Sequence, residues 1–104
     1  MAQFDVCQNN NPRTRKTVPY LLVIQADILD NLVTQAVAPL FSETKFGHPV
    51  NILNPVFEIE NKKYVLSTAE LAGIPKKSLG KKVCSLQEHR HEIIAALDLL
   101  FTGV

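Results

Sequence analysis

The sequence has no tryptophan, four glycines and two cysteines among its 104 residues. The glycines are too scattered to form a glycine-rich phosphate-binding loop, and no cofactor is predicted. The cysteines, Cys7 and Cys84, lie far apart and neither has a Cys-x-x-Cys partner, which argues against a metal site. Since the N-terminus lacks the features of a secretory signal, both are expected to be reduced thiols of a cytoplasmic protein.

Long hydrophobic runs and a surplus of one charge are also missing. No apolar run approaches the roughly 20 residues that span a bilayer. Eleven Lys and Arg residues stand against ten Asp and Glu residues, whereas domains that neutralise phosphates usually carry a strong basic surplus. Apolar residues make up 46% of the chain, as is typical of globular proteins. We expect a single domain over residues 1–104 that binds no membrane and meets nucleic acid only through partners.

The first half of the chain is rich in strand signals. Residues 3–7 alternate polar and apolar side chains, which predicts a half-buried strand, and the continuous apolar run 20–24 predicts a strand buried on both faces. The polar segment 8–16 between them predicts a long hairpin loop. Residues 34–40 predict another strand, and Pro39 is expected to place it at an edge or a bulge because proline cannot donate to the ladder.

The second half predicts a hairpin and then a helix. Residues 55–59 and 63–66 flank a turn at 60–62, which is a clear hairpin pattern. One helical turn is expected near 67–72, ended by Gly73-Ile74-Pro75, with a possible short strand near Ser78.

Ser85-Leu86-Gln87-Glu88 fits a capping box at the start of a helix over about 86–100. Short strands followed by one helix predict a mainly β (α+β) fold, a small antiparallel sheet or barrel with a C-terminal helix.

Few side chains suggest catalysis. His89 and His91 point in nearly opposite directions on a helix and cannot chelate one metal. Asp27 and Asp30 share a turn, where carboxylates more often cap local amides than act as an acid–base pair. No metal site and no catalytic residue is predicted.

The last four residues, Phe101-Thr102-Gly103-Val104, are apolar to the end of the chain. They allow two interpretations, a cover for the core or an exposed tip that contacts a partner. Phe101 continues the apolar stripe of the helix and is expected to pin the helix to the sheet. Thr102 and Val104 are expected to lie beyond the helix.

Several segments together resemble one known family. They are Gln3-Phe4, the run 22–30 (LVIQADILD), Val37-Ala38-Pro39-Leu40, the run 54–59 (NPVFEI) and the C-terminal stretch 92–104 that ends in LLFTGV. In their order and spacing they resemble the CcdB family of bacterial toxins, the gyrase poisons of plasmid-addiction modules. The resemblance covers essentially the whole chain.

The resemblance implies a fold, two partners and a non-enzymatic activity. The fold would be an SH3-like antiparallel β-barrel with a C-terminal helix, assembled as a symmetric homodimer. The target would be the gyrase A subunit, trapped in its complex with cleaved DNA. The second partner would be a small antitoxin whose disordered C-terminal segment folds onto the toxin.

The resemblance also implies contact residues for gyrase. Matched position by position, they are Phe4, Ala26, Ile28, Leu29, Asp98, Phe101, Thr102, Gly103 and Val104. The best-known members carry tryptophan where this chain has Thr102.

An endoribonuclease toxin of the same barrel fold is the alternative, because related ribonuclease toxins share the architecture. It would need a basic cleft and an acid–base pair, for which Arg13, Arg15 and His48 are the available side chains.

Overall fold

The computed structural model describes residues 1–103, and these residues form seven strands and two α-helices. The strands are β1 (Asp5–Asn9), β2 (Tyr20–Val23), β3 (Thr34–Ser42), β4 (Val56–Ile59), β5 (Lys62–Leu66), β6 (Ala72–Pro75) and β7 (Leu79–Ser85). The helices are α1 (Glu43–Phe46) and α2 (Arg90–Thr102). Single 3₁₀ turns occupy Asp27–Leu29, Thr68–Glu70, Lys76–Ser78 and Gln87–His89.

The strands form one curled antiparallel sheet in the order β4-β5-β3-β2-β1-β7, and β6 pairs with β3 beside β5. The long polar segment after β1 connects β1 to its antiparallel neighbour β2, as a hairpin loop should. The predicted mainly β fold with a C-terminal helix is therefore confirmed.

The expectation that Pro39 marks an edge strand is wrong, because β3 lies inside the sheet. It pairs with β2 on one side, where Pro39 lies opposite Leu21. The carbonyl of Pro39 accepts from the amide of Ser67 at 3.0 Å, so the proline ring faces the β5–β6 side. Pairing with β6 ends at Val37 and pairing with β5 begins at Leu40. Pro39 thus lies between the ends of β6 and β5, where its lack of an N–H costs the sheet no ladder hydrogen bond.

The predicted β4–β5 hairpin is confirmed, and its turn is tighter than the sequence suggested. Glu60 and Asn61 alone connect the strands, and their φ angles are +51° and +68°. Two successive positive φ values indicate a type I′ turn, which matches the twist of the flanking strands.

The structure contains more strand over β6 and β7 than the sequence predicted. Gly73 and Pro75 were expected to end a helical turn, whereas this stretch pairs with β3 from Thr34 to Val37. The possible short strand near Ser78 is in fact the seven-residue β7, which pairs with β1 through two register shifts.

Side chains alternate between two clusters on opposite faces of the sheet. The first cluster includes Phe4, Leu22 and Leu40, and α2 covers it with the fully buried Ile93. The second cluster is smaller and is centred on Leu21, Val23 and Val37. Helix α2 covers only the first face. On the second face the cluster is covered only by loops and by β6.

The predicted start of the helix is also corrected. Leu86 is buried and its amide donates to the carbonyl of Phe4 at 2.8 Å, so the chain is still tied to the sheet there. The hydroxyl of Ser85 accepts from the amide of Gln87 at 3.2 Å, in a 3₁₀ turn. This is a local serine turn and not the predicted capping box, because α2 begins only at Arg90.

Candidate functional site

The exposed end of α2 carries four of the predicted contact residues. Asp98 and Thr102 lie one turn apart, so both fall on the face that also carries Phe101. Phe101 is 70% exposed, and the expectation that it pins the helix to the sheet is wrong. Val104 lies outside the described residues.

Local chemistry ends the helix at this tip. The hydroxyl of Thr102 donates to the carbonyl of Asp98 at 2.6 Å, so Thr102 belongs to the last turn and does not lie beyond it as expected. Gly103 adopts a left-handed φ of +74°, and its amide donates to the carbonyl of Leu99 at 3.0 Å. Glycine adopts this conformation without strain, and the hydrogen bond to Leu99 is the usual way in which such a residue closes a helix.

The second group of predicted residues forms an apolar turn after β2. Ile28 is 87% exposed, and Ala26 and Leu29 are exposed beside it. Leu32 and Val33, which the sequence analysis did not select, are also exposed. Their signal in the sequence was a pair of adjacent aliphatic residues inside a turn-rich segment. These residues, Ile28, Leu29, Leu32 and Val33, are called the apolar turn below.

Hydrogen bonds from neighbouring segments hold this turn in place. The carboxylate of Asp27 accepts from the amide of Gln3 at 2.6 Å, and the side-chain amide of Gln25 donates to the carbonyl of Leu29 at 2.9 Å. The role of Asp27 is thus to cap a backbone amide, as its place in a turn favoured.

Asp30 is the centre of a polar cluster beside the apolar turn. Its carboxylate accepts from Gln35 at 2.8 Å and lies 3.5 Å from the ammonium of Lys76 and 3.4 Å from the N-terminal ammonium. Desolvation opposes ionisation, but the hydrogen bond from Gln35 and the two positive charges outweigh it, so the pKa of Asp30 is lowered. The cluster ties the N-terminus and the 3₁₀ turn after β6 to the apolar turn.

Phe4 is placed differently from the other predicted contact residues. It is 2% exposed, belongs to the first cluster and adopts a φ of +69°. The guanidinium of Arg90 lies 5.5 Å from the centre of its ring. Phe4 therefore supports the start of α2 from inside and offers no surface to a partner.

Within residues 1–103, the structure does not bring the two exposed groups into contact. Gln3 links the apolar turn to the start of α2, because its side-chain oxygen accepts from Arg90 at 3.2 Å. Asp98 lies eight residues further along the helix, which is about 12 Å at 1.5 Å per residue.

The two cysteines are poor candidates for chemistry. Cys7 is packed in the second cluster, whereas Cys84 packs against the first, so the thiols face opposite sides of the sheet. Burial raises the pKa of both thiols, which keeps them protonated. Both are free thiols.

The side chains considered for a ribonuclease are dispersed. Arg13 and Arg15 are exposed on the loop between β1 and β2, and His48 is exposed after α1. In the part of the chain that the structure describes, no hydrogen bond or ion pair joins His48 to either arginine, and no group of three His, Cys, Asp or Glu side chains could hold a metal ion.

The chain is similar to a known protein family over almost its whole length. No helix among residues 1–103 is long and apolar enough to cross a membrane. The family model described as CcdB protein matches residues 3–103, which include both the apolar turn and the described part of the C-terminal tip. The chain therefore belongs to the CcdB family, whose members are non-enzymatic toxins of toxin–antitoxin modules that poison DNA gyrase.

Proposed function

We propose that this chain binds the gyrase A subunit as a homodimer and traps gyrase on cleaved DNA, without catalysing a reaction itself. The observation that carries the proposal is the exposure of Phe101 at the end of α2. A phenyl ring that is 70% exposed contributes little to its own fold, whereas aromatic side chains are frequent anchors at interfaces.

The surroundings of Phe101 suit a binding tip. Asp98 and Thr102 flank the ring on the same face of α2, and Gly103 ends the helix in a left-handed conformation. This chain has Thr102 where the best-known family members carry tryptophan, so Phe101 is the only aromatic side chain among residues 98–104. We infer that Phe101 takes over the anchoring role at this position.

The activity requires only a difference in affinity between two states of gyrase. A ligand that binds the cleaved complex more tightly than the intact one shifts the population toward cleavage. Moving such an equilibrium from 1:99 to 99:1 needs about 5.5 kcal/mol of differential binding. Two tips related by a two-fold axis would meet a two-fold symmetric target with two copies of the same contact, which makes this energy easier to reach.

Two further parts of the proposal concern assembly and neutralisation. Ile28 and Val33 are 87% and 82% exposed, and apolar patches of this kind are typical of interaction sites. We assign the apolar turn to the combined gyrase-binding surface of the dimer. A small antitoxin with a disordered C-terminal segment would neutralise the toxin by folding onto it.

The direct test is a cleaved-complex assay with purified protein, gyrase and supercoiled plasmid. Denaturation followed by protease treatment should release linear DNA only when both the chain and gyrase are present. The same preparation is incubated with RNA in the absence of gyrase. RNA cleavage there, without trapped plasmid, would contradict the proposal and support the endoribonuclease alternative.

A further inference from the structure

The apolar turn is not held in place by packing. Ile28 and Val33 are 87% and 82% exposed, Leu29 and Leu32 are nearly half exposed, and the 3₁₀ turn Asp27–Leu29 buries no residue. Aliphatic side chains in water gain free energy by collapsing onto any apolar surface nearby, which would draw the turn out of this arrangement. Polar contacts must therefore hold the turn.

Gln25 lies at the point where the ladder between β2 and β3 stops. Backbone pairing of β2 ends at Val23, and one more bond follows, from the amide of Ile24 to the carbonyl of Ala36 at 3.0 Å. Beyond it, the side-chain oxygen of Gln25 accepts from the amide of Ala36 at 3.0 Å, and its nitrogen donates to the carbonyl of Thr34 at 3.2 Å. A primary amide carries the same acceptor and donor as a peptide group, so this side chain extends the ladder by one unit.

The same side chain also reaches the apolar turn. Its nitrogen donates to the carbonyl of Leu29 at 2.9 Å. Leu29 closes the 3₁₀ turn and Thr34 begins β3, so Gln25 joins both ends of the segment that carries Leu32 and Val33. Both donors and the oxygen of the amide are engaged in these contacts.

The carboxylates beside the turn cannot replace these contacts. Asp27 and Asp30 accept hydrogen bonds from other segments of the chain. An ionised carboxylate has no hydrogen to donate, so neither can hold the backbone carbonyls of Leu29 and Thr34. Among residues 1–103, Gln25 is the side chain that donates to both carbonyls.

We propose that Gln25 is a positioning residue that holds the apolar turn in its exposed arrangement before a partner binds. Its amide is occupied by the backbone of the chain itself, so Gln25 acts through Ile28 and Leu29 and not as an anchor. That the partner is gyrase rests on the proposed function, whereas the ordering of the turn does not.

Order in the free chain matters because a partner binds only the arrangement that fits it. The apparent Kd equals the intrinsic Kd divided by the fraction of chains in that arrangement. If the loss of Gln25 lowers this fraction to about one tenth, the apparent Kd rises about tenfold although every contact residue is still present. The partner would otherwise have to order the turn on binding, which weakens affinity.

Two substitutions separate the functions of this side chain. Gln25→Met keeps a side chain of similar length and removes the acceptor and both donors. Gln25→Glu keeps an acceptor for the amide of Ala36, but it places a negatively charged oxygen against two carbonyls. Gln8→Met is the matched control, because Gln8 is exposed and pairs with Tyr20 at the other end of the β1–β2 hairpin.

The first measurement is NMR relaxation of the backbone amides in the free chain, which needs no partner. Order parameters over residues 29–34 should be near about 0.85 in the wild type and in Gln8→Met, and below about 0.6 in both Gln25 variants. Unchanged order parameters in Gln25→Met and Gln25→Glu would overturn the proposal. Thermal unfolding of both variants below room temperature would also overturn it, because Gln25 would then support the whole sheet.

The second measurement is the affinity of the purified gyrase A subunit for each variant, by surface plasmon resonance. Gln25→Met should weaken binding about tenfold, and Gln8→Met should stay within about twofold. In an Ile28→Ala background the loss of Gln25 should weaken binding by a smaller factor, because less of the contact remains to be positioned. Additive effects of Gln25→Met and Ile28→Ala would show that Gln25 does not act through the turn and would overturn the proposal.

The two measurements separate this inference from the proposed function. A wild-type chain that does not bind the gyrase A subunit would contradict the proposed function, and NMR relaxation would still decide whether Gln25 orders the turn. Tight binding of gyrase by a Gln25 variant whose turn is mobile would instead overturn the positioning role and leave the proposed function standing.

Discussion

At the scale of single residues, α2 divides into a side that stabilises the fold and a side that is free for binding. Ile93 is fully buried in the first cluster, whereas Phe101 is 70% exposed. Ile93→Ala should lower the free energy of unfolding by about 2–5 kcal/mol, the usual cost of truncating a buried aliphatic side chain. Phe101→Ala should change it by only about 0.5 kcal/mol, as surface substitutions do. Urea unfolding of both variants measures the difference. Equal losses of unfolding free energy would show that Phe101 belongs to the core.

Helical periodicity could not have predicted this division. The spacing of Ile93, Leu97 and Phe101 shows which side chains share a face of the helix. It does not show where the sheet under that face ends. The burial of Phe4 agrees with the alternation of residues 3–7, which places Phe4 and Val6 on one buried face, whereas its position in a matched motif carries no information about depth.

The carboxylate of Asp30 makes the free energy of unfolding depend on pH. Its pKa is lowered in the folded chain, whereas the unfolded carboxyl titrates near about 3.9. Ionised Asp30 therefore stabilises the fold above about pH 4, and this contribution is lost as the pH falls through the lower folded pKa. Asp30→Asn should remove this contribution to stability. The variant should therefore have a lower free energy of unfolding than the wild type at neutral pH, and it should lose less of that free energy on acidification.

Thermal melts between about pH 7 and about pH 2 test this expectation. Glu43→Gln, which removes an exposed acid outside the cluster, is the matched control. Parallel curves for Asp30→Asn and the wild type would show that the Asp30 cluster does not contribute to stability.

At the scale of elements, the contact between β7 and β1 depends on one glycine. A Cβ on Gly80 would lie 2.7 Å from the backbone oxygen of Gln8, whereas a Cβ on Gly73 meets nothing within 4 Å. Gly80→Ala should cost about 1–3 kcal/mol of stability, as overpacking does, and Gly73→Ala should be close to neutral. Chemical denaturation of the pair gives the answer, and a neutral Gly80→Ala would show that β7 is not held this tightly.

The elements that could be predicted are those with a strong local pattern. The apolar run of β2 and the turn of the β4–β5 hairpin were visible in the sequence, because burial on both faces and turn chemistry leave clear signatures. Strands β6 and β7 were not, since Gly73, Pro75 and Lys81 are poor strand formers locally. Their pairing with β3 and β1 is tertiary and overrides propensity.

At the scale of the whole molecule, we expect a homodimer. Besides the apolar turn, Val50, Ile52 and Phe101 are more than half exposed, and exposed apolar patches are typical of interaction sites. Light scattering at micromolar concentration should give about twice the chain mass of 11.6 kDa. A mass of one chain, unchanged with concentration, would contradict the dimer.

The candidate site was only partly accessible from sequence. Asp98 and Phe101 were named by resemblance, and periodicity left their exposure undecided. Leu32 and Val33 were not selected, because adjacent aliphatic residues in a turn-rich segment do not show from the sequence alone whether they are exposed.

The most direct test of the account is deletion of residues 102–104 in the cleaved-complex assay, beside a thermal melt of the same protein. Thr102 and Gly103 are exposed, and Gly103 follows the last helical turn, so the truncated chain should melt close to the wild type. It should no longer trap gyrase on cleaved plasmid. Undiminished trapping by the truncated chain would show that the tip does not act on gyrase, and an unfolded truncated chain would show that it belongs to the core.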